Sequence, residues 1–334
     1  MIRRTLMLLA VSLPALVGAE DAAQVVIARH VEALVTASKP AEAGLEGWFF
    51  ARNELRSYSR GAFWGEAAVQ ASLAASDQDP LPAIVDFAAQ LKKAGIELLV
   101  VPVPGKVAIV PDKLDASLAA ESLVQAPHAQ FLVQLSAAGI PVIDLAAEFR
   151  ALRQSGVYSH CHQDTHWSPA GAERSAALIA ERIRTQPWYA QAGKLTGVST
   201  ATVNGLVHGD MVARQKELRA TLAKEALSLH RVTMDGKSLT ADRASPVLLI
   251  GDSHLQVFSN GLQGDGAGLP DHLAKELALR LDIISEQGGG ANGPRESLAR
   301  RGDSLTGKKV VVWVFTTRSF TESDSGWKRI AVLR

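Results

Sequence analysis

The sequence predicts an α/β fold: an open, parallel sheet of about five strands with helices packed on both faces. Two observations lead there. Short β-rich runs that are apolar throughout recur along the chain, as strands buried on both faces require. Segments with helical apolar spacing separate them, and strands joined through helices return in parallel. In chain order, a helix over residues 82–94 precedes the first strand at 97–103. A helical pattern over 116–137 leads to a second strand at 141–145. Two further helical patterns, 169–184 and 211–227, precede the strand at 247–251. A helix over 270–279 then leads to strands at 281–285 and 309–316. The stretch 195–241 is the least regular and is expected to form an excursion beside the site. The aromatic-rich segment 47–65 has no place that pattern alone assigns. Sheets of this kind carry their chemistry at the carboxyl ends of the strands.

Composition narrows the function classes. Of 334 residues, 47% are hydrophobic and 21% charged, which supports a packed core rather than disorder. A net charge of +1 gives no field to collect nucleic acid, so no nucleic-acid partner is expected. Arg3 and Arg4, the apolar run Leu6 to Val17 and the small residues Val17-Gly18-Ala19 read as a signal peptide over residues 1–19. The chain from 20 to 334 is then expected as one domain in the periplasm. The apolar run falls short of the roughly 20 residues a bilayer span needs. Cys161 is the only cysteine, so no intramolecular disulfide can form and a covered thiol is expected.

Three motifs carry candidate chemistry. In VLLIGDSH, residues 247–254, an apolar strand runs into Gly251-Asp252-Ser253 and then a helix-like pattern. A serine there can attack an acyl carbon while its own N–H helps hold the oxyanion. The competing reading is that Asp252 or Ser253 only caps the helix. The second motif is Asp164-Thr165-His166-Trp167-Ser168-Pro169, with Ser168-Pro169 a helix start. In an extended approach, Asp164 and His166 point the same way, so the carboxylate can hold the imidazole as in a serine triad. Trp167 suits either a site wall or the core. His160, His162, Asp164 and His166 alternate, which would also suit zinc. The motif H-x-H-x-D-H is not met, however, and no metal or cofactor is expected. The third motif is the turn Gly288-Gly289-Gly290-Ala291-Asn292-Gly293 after a strand. Gly289, Gly290 and the Asn292 amide are candidate oxyanion donors; a flexible connection is the alternative. Walker and dinucleotide-loop spacings are both absent. His30, His128, His208, His230 and His272 read as surface or hydrogen-bonded residues.

Together GDSH at 251–254, DTHW at 164–167, the WFF–E–L block at 48–55 and VPVPGKVAIVPDKL at 101–114 resemble the SGNH-hydrolase-like domain of alginate O-acetylation proteins of the AlgX/AlgJ type. The resemblance runs from about Gly47 to Thr317. The Asp-His pair precedes the serine, the reverse of ordinary SGNH esterases, as in this family's permuted arrangement. It implies a three-layer α/β/α fold with Ser253 as nucleophile, His166 as base and Asp164 as its partner. It further implies acetyl transfer to hydroxyls of an exopolysaccharide such as alginate. A membrane-bound O-acyltransferase would supply the acetyl group, alongside other exopolysaccharide-assembly proteins. The layout, without a C-terminal carbohydrate-binding module, is nearer to AlgJ. Arg295, Arg300 and Arg318 are candidate contacts for an acidic polymer. A secreted carbohydrate esterase using the same triad, and a non-catalytic assembly subunit, are the competing functions.

Overall fold

The computed structural model describes residues 14–120, 126–261, 263–302 and 304–333. Its strands are β1 (Ala41–Ala43), β2 (Phe49–Ala51), β3 (Glu97–Val103), β4 (Val198–Val207), β5 (Glu225–Met234), β6 (Val247–Gly251), β7 (Asp282–Ser285) and β8 (Val310–Thr316). The main sheet has the order β3-β8-β6-β7, and every neighbouring pair is parallel. β1 pairs with β2, and β4 with β5, as separate antiparallel ribbons.

Alternation along each buried strand sends side chains into two different cores. Val310, Val312 and Val314 of β8 join Leu249 and Leu99 on one face. There they meet Ala172, Ala176 and Ile179 of the helix Pro169–Arg184, and Leu273 and Leu277 of the helix Leu269–Leu277. Val311, Trp313 and Phe315 point the other way. They pack with Leu248 and Ile250 against Ile84 and Phe87 of the helix Pro80–Lys93, and against Leu298 of the helix Asn292–Arg301. The result is three layers, with the sheet in the middle. Burial on both faces is why β3, β6 and β8 carry long unbroken apolar runs.

Four of the expected strands form the sheet. The fifth, 141–145, contributes a single parallel bridge between Val142 and Val100. Asp144 accepts a hydrogen bond from the Ala146 N–H (2.9 Å) and starts the helix Leu145–Gln154, which cuts the strand short. The helical pattern at 116–137 is realised over Ala126–Ala137, and residues 121–125 lie outside the described residues. The expected helix at 211–227 is corrected. That region holds two short helices, Asp210–Ala213 and Lys216–Thr221, and then enters β5. Ladder pairing with β4 overrides the helical spacing there. Arg3, Arg4 and the apolar run through residue 13 lie outside the described residues, and the helix Pro14–Thr36 runs through Val17–Ala19. No helix of the described residues is long and apolar enough to cross a membrane.

One buried group makes this core sensitive to acid. His128 stacks on Tyr58 (ring centroids 4.3 Å apart) among Phe63, Phe131 and Phe320, and neither ring nitrogen has a hydrogen-bond partner. Burial holds its pKa down at about 3, so the native state keeps the ring neutral. Above pH 6.5 the ring is neutral folded or unfolded, and nothing is lost. Below it the unfolded chain takes up a proton that the native state refuses down to about pH 3. Stability therefore falls across that window, by about 1.4 kcal/mol per pH unit for one such proton. His160, also held at about 3 mainly by burial, acts in the same direction. We expect His128→Phe to flatten the slope of urea-unfolding free energy between pH 6.5 and 4, while leaving the His160 share.

Candidate active site

Ser253 follows β6, a central strand, at the carboxyl edge of the sheet. Gly251 is required there for close approach rather than for a turn: a Cβ on it would lie 2.6 Å from the Val314 carbonyl of β8. The two readings of the motif divide between neighbours. Asp252 is the cap, accepting from the His254 N–H at 2.9 Å. Ser253 directs its Oγ to His166 Nε2 at 2.8 Å. The expected helix after it is only a 3-10 turn, Ser253–Leu255. Ser253 as a residue is half-buried.

His166 Nδ1 donates to Asp164 Oδ1 at 2.5 Å, which leaves Nε2 free to accept the Ser253 proton. The pair does not arise from an extended strand, as the two-residue spacing suggested. Asp164 Oδ1 also accepts from the His166 N–H at 3.0 Å, closing an Asx turn that folds the carboxylate back over the imidazole. A bridge from His160 to Trp167 closes this loop, and Trp167 is buried in the core beneath it. Asp164 Oδ2 accepts from the Asp210 N–H at 2.6 Å and from the Gln263 amide. Burial alone would raise the Asp164 carboxyl. The hydrogen bond and charge of His166, with the two backbone N–H groups, outweigh it and hold the pKa at about 2. The carboxylate thus stays ionised wherever the imidazole needs it.

Beneath the loop lies a buried cation. Lys106, just past the end of β3, donates to the carbonyls of Phe49 (2.9 Å), His162 (3.1 Å) and Asp164 (2.8 Å). These use all the donors of an ammonium group. Burial lowers the Lys106 pKa and raises that of Glu54, and each group's charge opposes the other's shift. Glu54 receives the Val107 N–H and packs against Gly105, where a Cβ would lie 2.8 Å from its Cγ. Beside Ser253, Asp252 and His254 form a second buried pair (3.0 Å), with the His254 ring 4.7 Å from that of His166 and 5.2 Å from that of Trp167. Burial lowers the His254 pKa against the pull of Asp252, so this neighbour of His166 stays neutral.

The alternating histidines do not converge. His160 is buried, bonded to Ser159 Oγ and the Pro104 carbonyl, and His162 lies on Trp48 with ring centroids 4.1 Å apart. Asp164, His166 and Asp210 do bring ligand atoms close together. Those atoms are engaged in hydrogen bonds, with both Asp210 oxygens accepting from Thr165. Cys161 is fully buried, and burial pushes its thiol pKa well up.

The glycine turn is corrected in part. The Asn292 amide donates to Ser325 Oγ and the Gly326 carbonyl, and its oxygen accepts from Arg295. Arg295 is completely buried, lies 4.9 Å over the Trp313 ring and donates to the Ala291 and Lys328 carbonyls. Both residues are therefore structural, neither oxyanion donor nor polymer contact. The Gly289 N–H closes its own turn onto Glu286, and Gly290 lies beside Ser319. None of the four hydrogen-bonds to Ser253, His166 or Asp164. Arg300 is exposed beside Glu286 and Ser297. Arg318, half-buried after β8, is near enough for its charge to lower the Asp252, Glu54 and His254 pKa values.

Residues 41–317 match the family described as the SGNH hydrolase-like domain of the acetyltransferase AlgX. The chain belongs to this family. Among similar proteins is a probable alginate O-acetylase AlgJ of Pseudomonas aeruginosa, 25% identical over 262 residues, covering 71% of this chain and 64% of that protein. A second, from Pseudomonas syringae pv. tomato, is 28% identical over 264 residues, covering 73% and 62%. The chain thus spans a little under two thirds of the length of these relatives. Among solved structures, the O-acetyltransferase domain of Pseudomonas putida AlgJ matches with a TM-score of 0.63 at 22% identity, covering 84% of this chain and 91% of that one. Pseudomonas aeruginosa AlgX matches at 0.57 and 18% identity, covering 83% and 61%. The three-layer α/β arrangement is therefore the family's.

Lys106 and Glu54 sit in the two sequence blocks that the family resemblance marked without assigning a role. We expect Lys106→Met to destabilise the protein by about 3–5 kcal/mol, because three carbonyls lose their donor and buried Glu54 loses the larger of the two cationic charges acting on it. Combining it with Glu54→Gln should recover part of that loss. Chemical denaturation of the single and double variants checks both.

Proposed function

We propose that this protein is a periplasmic O-acetyltransferase that passes an acetyl group through Ser253 to hydroxyls of an exopolysaccharide such as alginate. The observation that carries this reading is the continuous line Asp164–His166–Ser253, with contacts of 2.5 and 2.8 Å. In the first step Ser253 Oγ attacks the acetyl carbonyl carbon as its proton passes to His166 Nε2. Asp164 stabilises the imidazolium that forms. The negative charge on the tetrahedral oxygen is met by the Ser253 N–H, which as the first donor of a helical turn has no acceptor within it. Collapse expels the leaving group, which takes the proton from His166 and leaves acetyl-Ser253. In the second step His166 accepts the proton of a sugar hydroxyl as its oxygen attacks the acetyl carbon. Ser253 Oγ then leaves and recovers that proton.

The substrate class is drawn from the AlgJ-named relatives, whose printed activity is alginate O-acetylation. A membrane-bound O-acyltransferase as acetyl source and other exopolysaccharide-assembly proteins as partners belong to the same proposal. So do the cleaved export signal over 1–19 and the single catalytic domain that follows. An esterase reading shares the first step and ends with water instead of sugar. The triad geometry is common to both readings, so both are carried into the test.

The test supplies an activated acetyl ester and acidic oligosaccharides to wild type and Ser253→Ala, and reads the oligosaccharide mass. Wild type should add acetyl groups. The variant should fall by about a thousandfold or more while unfolding at the same temperature. Unmodified oligosaccharide with free acetate released by wild type would favour the esterase. Equal transfer by the variant would overturn the role of Ser253.

A further inference from the structure

Behind the base loop lies a cavity of about 290 Å³, the lower end of the size range of small-ligand clefts. It opens between the β1–β2 ribbon, the helix Arg52–Tyr58 and the excursion at 210–215. Its apolar base is made by Ala41, Ala51 and Met211, which belong to a small hydrophobic cluster separate from the two main cores. Around this base stand Arg52, Arg56 and Arg214.

The charge balance of the lining is positive. Arg56 is held by buried Glu322, with its Nε at 2.8 Å from the carboxylate, so its position is fixed. Neither Arg52 nor Arg214 forms an ion pair with any described residue. The lining carboxylate, Asp210, has both oxygens occupied by the Thr165 N–H (2.8 Å) and hydroxyl (2.6 Å). Two uncommitted guanidinium forks beside an apolar floor match a ligand with one carboxylate and one apolar face. A pyranuronate ring has both.

The cavity is also joined to the chemistry. Its inner wall is Thr165 and Asp210, and the Asp210 N–H holds the catalytic carboxylate Asp164 at 2.6 Å. We propose that this cavity is a subsite for a uronate residue of the acceptor chain, held by Arg52 and Arg214. The word "acceptor" rests on the acetyl-transfer reading above. The carboxylate-sugar subsite itself does not, because it is argued from the cavity alone.

The test is calorimetric binding of a short oligouronate and of a neutral oligosaccharide of equal length. It uses Ser253→Ala protein, so that no turnover intervenes. The oligouronate should bind and the neutral oligomer should not. Arg52→Ala combined with Arg214→Ala should weaken oligouronate binding by roughly tenfold or more. Arg329→Ala, which removes an exposed charge outside the cavity, should leave it unchanged. Equal affinity for the two oligomers, or an unaltered affinity in the double variant, would overturn the subsite. Loss of affinity in the double variant supports it even if Ser253 is shown to carry no acetyl group. That separates its failure from failure of the catalytic reading.

Discussion

A single ammonium group fixes the geometry on which this site depends. Lys106 leaves the end of β3 and gathers the carbonyls of β2 and of two positions in the base loop. A loop of bends, such as the one that carries Asp164 and His166, has no ladder to hold it. Charge-assisted bonds to its own backbone replace that ladder. Taking a lysine out of water costs several kcal/mol, and its bonds with Glu54's charge roughly offset this. Its contribution is therefore more to position than to net stability. With the loop backbone pinned, the remaining freedom of Asp164 is removed by donors on both carboxylate oxygens.

The sequence contains two Asp-x-His pairs, and both form the same local turn. In each, the carboxylate accepts from the backbone N–H and the ring of the histidine two residues on. Packing gives the two pairs different surroundings. His254 is covered by Trp167 and by the His166 ring, and its burial keeps it neutral. His166 instead places its Nε2 2.8 Å from Ser253 Oγ. A neutral neighbour matters because a second cation 4.7 Å away would oppose formation of the imidazolium.

Much of the framework was legible because burial on both faces writes itself into composition. Leu98 to Val103, Val247 to Ile250 and Val310 to Phe315 are apolar without a break, and they form three of the four strands of the sheet. Ser253, His166 and Asp164 are legible as motifs, but the Asp-His pairing has a different local cause from the one their spacing suggests. Alternation assumed a strand, while an Asx turn does the work. Lys106 does not stand out in the sequence as a site residue, since nothing in a one-dimensional pattern separates a buried lysine from an exposed one. Asp210 lies in the irregular stretch 195–241 and Gln263 stands 99 residues from Asp164, so both reach that carboxylate only through the fold. Asn292 and Arg295 show the opposite error. A glycine-rich turn at a strand end looked like an oxyanion loop, yet its polar side chains lock the C-terminal segment over Trp313.

The central claim is that Ser253 carries the acyl group, and peptide mass spectrometry of wild-type protein after brief exposure to an activated acetyl ester tests it most directly. The account predicts one added acetyl group, located on the peptide containing Ser253, with its formation suppressed by Asp164→Asn. An acetyl group found elsewhere, or none on that peptide under conditions where the ester is consumed, would contradict it.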